Sequence, residues 1–91
     1  MKILFDSRFN RLYKKRSHSE QENMDVALQR LAKFFLENQR PTGLGVRNLR
    51  KKVWELRVGL KLRIIFSLEV DAVHILYLGS HDEIRKFLKN L

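Results

Sequence analysis

Hydrophobic positions along the chain follow two periods, a helical one up to residue 37 and an alternating one from Val53 onward. The run Lys2-Ile3-Leu4-Phe5-Asp6 is short and apolar and stops at Asp6-Ser7, both good helix caps, after which Phe9, Leu12 and Tyr13 recur at helical spacing. This predicts a first strand and a short helix that ends among Lys14, Lys15 and Arg16, cations suited to the negative end of its dipole. Ser19-Glu20-Gln21-Glu22 reads as a capping box opening a second helix. In that helix Met24, Ala27, Leu28, Leu31, Ala32 and Phe35 share one stripe, while Glu20, Gln29, Lys33 and Glu37 fall elsewhere. Asn38 to Gly43 ends it, because Pro41 can neither continue a helix nor favour one just before itself. Leu44-Gly45 reads as loop.

Beyond Val53, Trp54, Leu56 and Val58 alternate with Val53, Glu55 and Arg57, and Leu62, Ile64, Phe66 and Leu68 with Lys61, Arg63, Ile65 and Ser67, which predicts a hairpin. Val70-Asp71 turns the chain, and Val73 to Leu78 is apolar on both faces, as suits a strand in a sheet interior. Gly79 closes it. Ser80-His81-Asp82-Glu83 is a second capping box, followed by the helical stripe Ile84, Phe87, Leu88 and Leu91. The order β-α-α-(β)-β-β-β-α makes an α+β fold: an antiparallel-rich, twisted sheet of about four to five strands, one face covered by the helices and the other partly open.

Composition adds limits. At 91 residues, 44% apolar, the chain is expected to form one domain with one core. The absence of cysteine excludes disulfide staples, thiol catalysis and zinc ribbons, and predicts a reducing compartment. The start MKILFDSRF lacks the apolar core of a signal peptide, and no apolar run approaches the roughly 20 residues that span a bilayer, so a cytoplasmic protein without membrane partners is expected. Nineteen Lys and Arg against ten Asp and Glu give a net charge of +9, which favours an anionic partner.

Much of that charge is concentrated. Arg47, Arg50, Lys51, Lys52, Arg57, Lys61 and Arg63 lie within 17 residues that hold one acid, Glu55. Such a block suits a phosphate backbone, and RNA is the expected polyanion. Only an even register sum keeps Trp54, Leu56 and Val58 on the face of Leu62, Ile64 and Phe66. Pairing Val58 with Leu62 across Gly59-Leu60-Lys61 opposes Arg57 to Arg63 and Glu55 to Ile65 on the open face. Two guanidiniums facing one way would gain from an anion, or Glu55, between them; Glu55 pairing with one Arg on a solvated face is the plainer alternative. His81 falls in the first turn of the last helix, where a neutral imidazole can take up a proton, although a capping-turn histidine is as often only solvated. His18, His74 and His81 match no metal-ligand spacing and no Gly-rich phosphate loop is present, so no metal and no cofactor are expected. His74, Trp54, Phe66, Phe34, Phe35 and Phe87 read first as core or sheet residues.

The segment VWELRVGLKLRIIFSLEVDAVHILYLGSHDEIRKFL resembles the C-terminal half of the RelE/ParE superfamily of toxins from type II toxin-antitoxin systems. The echoes are Trp54-Glu55-Leu56-Arg57-Val58-Gly59, Leu62-Arg63-Ile64-Ile65-Phe66 and Gly79-Ser80-His81-Asp82-Glu83, and the whole chain fits the family's length and element order. The resemblance implies a RelE-like fold with two N-terminal helices on one face and a short C-terminal helix. It also implies ribosome-dependent cleavage of mRNA, as in the RelE, HigB and YafQ branches, with the ribosome, mRNA and a cognate antitoxin as partners in a toxin-antitoxin hetero-oligomer. A ParE-like inhibitor of DNA gyrase and an inactive binding member are the alternatives. Arg63 matches the strand arginine those nucleases use on the scissile phosphate, His81 matches the histidine of the YafQ-like ending, and Lys51, Lys52 and Arg57 match positions that bind RNA or assist transfer. The RelE tyrosine near the C-terminus has no counterpart, since Phe87 and Leu88 stand there, so the implied catalytic set is Arg63 and Arg57 stabilising the added negative charge with His81 or Glu55 moving protons.

Overall fold

The computed structural model describes residues 1–37 and 44–91. Strand β1 (Lys2–Phe5) leads into helix α1 (Ser7–Lys14), whose N-cap Asp6 is extended and accepts a 2.8 Å hydrogen bond from the Arg8 backbone N–H. Helix α2 (His18–Leu36) begins two residues earlier than the Ser19 capping box predicts. Ser17 is the cap: its hydroxyl accepts from the Glu20 N–H at 3.2 Å, and Glu20 Oε1 accepts from the Ser17 N–H at 3.3 Å. Both Ser17-x-x-Glu20 and Ser19-x-x-Glu22 satisfy the pattern, and the earlier one is used because α1 stops at Lys14 and the chain is already extended at Ser17. The Tyr13 hydroxyl donates to Asp25 at 2.7 Å and Gln21 Nε2 donates to the Tyr13 carbonyl at 2.9 Å, which locks α1 against α2. The expected stop at Asn38 to Gly43 lies outside the described residues.

Strands β2 (Val46–Arg50), β3 (Val53–Val58), β4 (Leu62–Leu68) and β5 (Ala72–Gly79) complete a five-stranded sheet in the order β1-β5-β4-β3-β2. The pairs β2–β3, β3–β4 and β4–β5 are antiparallel; β1 is parallel to β5, a crossover that the two helices make possible. One sheet face carries Leu56, Val58, Leu62, Ile64, Phe66, Val73, Ile75 and Leu78 against Phe9 of α1 and Met24 and Leu31 of α2. The expectation that all the helices cover one face is corrected by α3 (His81–Lys89), which packs on the opposite one. Its physical reason is Ile65. This residue alternates away from Ile64 and Phe66, is fully buried, and packs with Ile84 and Phe87; covering such a side chain stabilises by about 1.5–3 kcal/mol.

Helix α3 is fastened at several points. Phe87 stacks on Tyr77 of β5 with ring centres 4.3 Å apart and planes 12° off parallel, and the Arg8 guanidinium sits 5.3 Å from the centre of the Phe87 ring. The guanidinium of Arg50 donates to the Leu88 carbonyl, serving the negative end of the helix. Among the described residues no helix is long and apolar enough to cross a membrane. On this face Arg57 remains exposed, whereas the Arg63 side chain is largely covered.

Candidate anion-binding and proton-transfer site

The hairpin of β3 and β4 has the register that alternation requires: Val58 opposes Leu62, Arg57 opposes Arg63 and Glu55 opposes Ile65. Gly59 carries the turn at φ +65, a left-handed conformation that side-chain-bearing residues rarely adopt. Strand β2 adds Arg47 directly opposite Glu55. Glu55 is buried, and one carboxylate oxygen, Oε2, lies 3.0 Å from an Arg63 Nη atom and 3.4 Å from an Arg47 Nη atom. Arg63 arrives as a diagonal neighbour, a reach that only long side chains make in a sheet. Glu55 therefore serves Arg63 and Arg47, and among the described residues the Arg57 side chain has no hydrogen bond or ion pair. Arg57 is anchored through its backbone instead, its N–H donating to the Gly45 carbonyl at 2.8 Å.

The end of β5 brings the terminal helix to this hairpin, because Gly79 pairs with Arg63. Ser80 caps α3, accepting from the Glu83 N–H at 3.3 Å while its own N–H donates to Glu83 Oε1 at 2.9 Å. That backbone N–H holds the Glu83 carboxyl below its ordinary value. Gly79 is required by closeness: a Cβ there would stand 2.9 Å from the Glu83 Cβ. The result is an open cleft of about 290 Å³ lined by Leu60, Lys61, Arg63, Ser80, His81 and Asp82. Two cations and an imidazole share this space with the Asp82 carboxylate, an arrangement with donors for a phosphodiester and with groups able to exchange a proton beside it. A larger groove of about 340 Å³ between α2 and β3, reached by Arg30 and Arg57, has no comparable proton-transfer group. Among the described residues no group of three or more histidines and carboxylates is placed to hold a metal ion, and the cations that line the cleft are Lys61 and Arg63.

The structure divides the basic run that is continuous in sequence. Arg57, Lys61 and Arg63 belong to one end of the hairpin, with Arg47 beside Glu55. Arg50, Lys51 and Lys52 belong to the β2–β3 turn at the other end, and five strand steps of about 3.4 Å put Lys52 about 17 Å from Arg57. There Lys51 takes a positive φ of 45 and its carbonyl accepts from Asn48 Nδ2 at 2.9 Å. Lys52 pairs with Glu69 at 2.9 Å and draws its carboxyl below the ordinary value. His74 is a half-buried sheet residue, and His18 pairs with Glu22 at 2.7 Å. Leu60, Ser80 and Asp82 were not among the residues that sequence singled out for the site; Leu60, 97% exposed at the hairpin tip, was the most conspicuous signal.

No family model and no curated protein matches the chain. Solved structures do. A chain of the RelB–RelE antitoxin-toxin complex from Methanococcus jannaschii is similar with a TM-score of 0.72 at 14% identity, over 92% of this chain and 96% of that one. The YoeB/ParE toxin from Agrobacterium tumefaciens gives 0.66 at 19% identity, over 89% and 99%. A chain of the DinJ–YafQ complex from E. coli gives 0.66 at 18% identity, over 90% and 94%. At these identities the likeness establishes the fold: an α+β domain of the RelE, YafQ and YoeB toxin type.

Proposed function

We propose that this chain, which has the fold of the RelE, YafQ and YoeB toxins, is the toxin of a toxin-antitoxin pair and cuts mRNA on the ribosome in the cytoplasm. The observation that carries the reading is the cleft in which Lys61, Arg63 and His81 meet, with Arg57 opposite Arg63 in the hairpin register. RNA carries its own nucleophile. The 2′-hydroxyl attacks the adjacent phosphorus, forming the O2′–P bond as the P–O5′ bond breaks; one proton leaves O2′ and one must reach O5′. Arg63 and Arg57 stabilise the extra negative charge on the phosphoryl oxygens. His81, exposed at the start of α3, moves one of these protons, and water in the open cleft carries the other. Lys61 and Arg47 hold the flanking backbone, and Arg50, Lys51 and Lys52 track it farther along.

A cognate antitoxin fits the same surface by charge, with an acidic or amphipathic segment laid over the cationic face; two of the similar structures are toxin complexes with RelB and DinJ. The test is a ribosome-programmed translation reaction in which mRNA ends are mapped with the wild-type chain and with Arg63→Ala and His81→Ala. The wild type is expected to produce discrete cuts and both variants to lose them. Intact mRNA with the wild type, together with inhibition of gyrase supercoiling by the same preparation, would show a gyrase inhibitor instead; intact mRNA with neither effect would show a binding protein.

A further inference from the structure

Glu55 is an unusual residue for an open, basic sheet surface. Its side chain is 5% exposed, against 16% for Arg63 and 64% for Arg47. Burying a carboxylate is costly unless cations meet it, and here two guanidiniums share one oxygen. A group that exchanges protons with a substrate must come within hydrogen-bond reach of it. Glu55 does not line the cleft that holds Arg63 and His81, and its Oε2 is occupied. Arg63, by contrast, does line the cleft, and its planar fork of five N–H donors spends one on Glu55. The directly opposed Arg57 would otherwise push that guanidinium aside.

We propose that Glu55 is a positioning residue: its buried carboxylate fixes the Arg63 guanidinium so that the remaining N–H donors face an anion in the cleft, and it carries no proton in the reaction. The geometry leaves Arg47 as the looser partner. At 3.4 Å and mostly exposed, it is available to leave Glu55 for a phosphate while the 3.0 Å bond to Arg63 stays in place. The catalytic part of this proposal rests on the nuclease reading; the fixing of Arg63 does not.

The experiment follows the arginine side-chain resonances of the 15N-labelled full chain, with Arg63 assigned through Arg63→Lys. The wild type is expected to show separate, slowly rotating guanidinium signals for Arg63. Arg47→Ala should keep them and Glu55→Gln should collapse them into an averaged signal. In the mRNA cleavage reaction Glu55→Gln should lower the rate by about 100-fold, the cost of an ångström of misplacement, while the shape of the pH–rate profile is unchanged. Arg63 signals that persist in Glu55→Gln overturn the proposal, and so does loss of one limb of that profile. Should Glu55→Gln not fold, an averaged Arg63 signal in the wild type overturns it alone. If the wild-type chain cuts no mRNA, the nuclease reading fails while the resonances still decide the role of Glu55.

Discussion

Replacing Gly79 by Ala tests how the site is assembled, because Gly79 is where the strand beside Arg63 becomes the helix that carries His81. The added methyl would meet the Glu83 Cβ at 2.9 Å and Glu83 Oε1 at 3.3 Å. The first contact is shorter than real methyl contacts, and it involves a Cβ fixed to the helix backbone. The second is with the atom that accepts from the Ser80 N–H at 2.9 Å. The first turn of α3 must therefore move away or Glu83 must abandon the cap. Overpacking costs about 1–3 kcal/mol and loss of a cap about 1 kcal/mol; since one displacement can answer both, we expect a net loss of about 2 kcal/mol. In a domain of this size that lowers Tm by about 8–16 °C. Urea unfolding at constant slope measures it. The penalty should shrink when Glu83→Gly is already present, since that change removes the obstructing Cβ. A change under about 0.5 kcal/mol, or an identical penalty in the two backgrounds, would show that Glu83 does not crowd this position. Gly59→Ala is the contrast, costing about 1 kcal/mol through its φ of +65 in open space, with no relief from Glu83→Gly.

Three further outcomes are expected. Ser17→Ala should cost about 1 kcal/mol and Ser19→Ala less than about 0.5 kcal/mol in urea unfolding, because Ser17 caps α2. Ile65→Ala should cost about 2–5 kcal/mol by the same measurement and loosen α3, since Ile65 is fully buried beneath Ile84 and Phe87. The carboxyls of Asp6, Glu69 and Glu83 are held low, chiefly by the Arg8 backbone N–H, the Lys52 ammonium and the Ser80 backbone N–H respectively. Their stabilisation is fully present above the ordinary carboxylate range and is lost as pH falls through the lowered folded-state values. Thermal melts should therefore decline below about pH 4, and Glu83→Gln should flatten that decline.

The hairpin was legible in the sequence because period-two alternation admits only registers that keep Trp54, Leu56 and Val58 on one face, and the Arg57–Arg63 opposition follows from the shortest of them. The capping box at Ser80 was legible for a similar reason, as one Ser-x-x-Glu pattern starts there and a helical stripe follows. At α2 two such patterns overlap, and only the length of the turn after α1 chooses Ser17. The placement of α3 escaped the sequence because an amphipathic stripe shows that a helix has an apolar face and not which side of a sheet it meets. Ile65, apolar on the face assigned to solvent, was the local clue. The pairing of Arg47 with Glu55 needed the β2 register, and the separation of Lys51 and Lys52 from Arg57 needed the length of β3.

The chemistry of the cut ends reports which group attacks the phosphate. If RNA supplies its own nucleophile in the Arg63–His81 cleft, fragments from the translation reaction carry a 2′,3′-cyclic phosphate on the upstream piece and a 5′-hydroxyl on the downstream piece, and Arg63→Ala yields neither. Fragments ending in a 3′-hydroxyl and a 5′-phosphate, or no fragments at all, would contradict it.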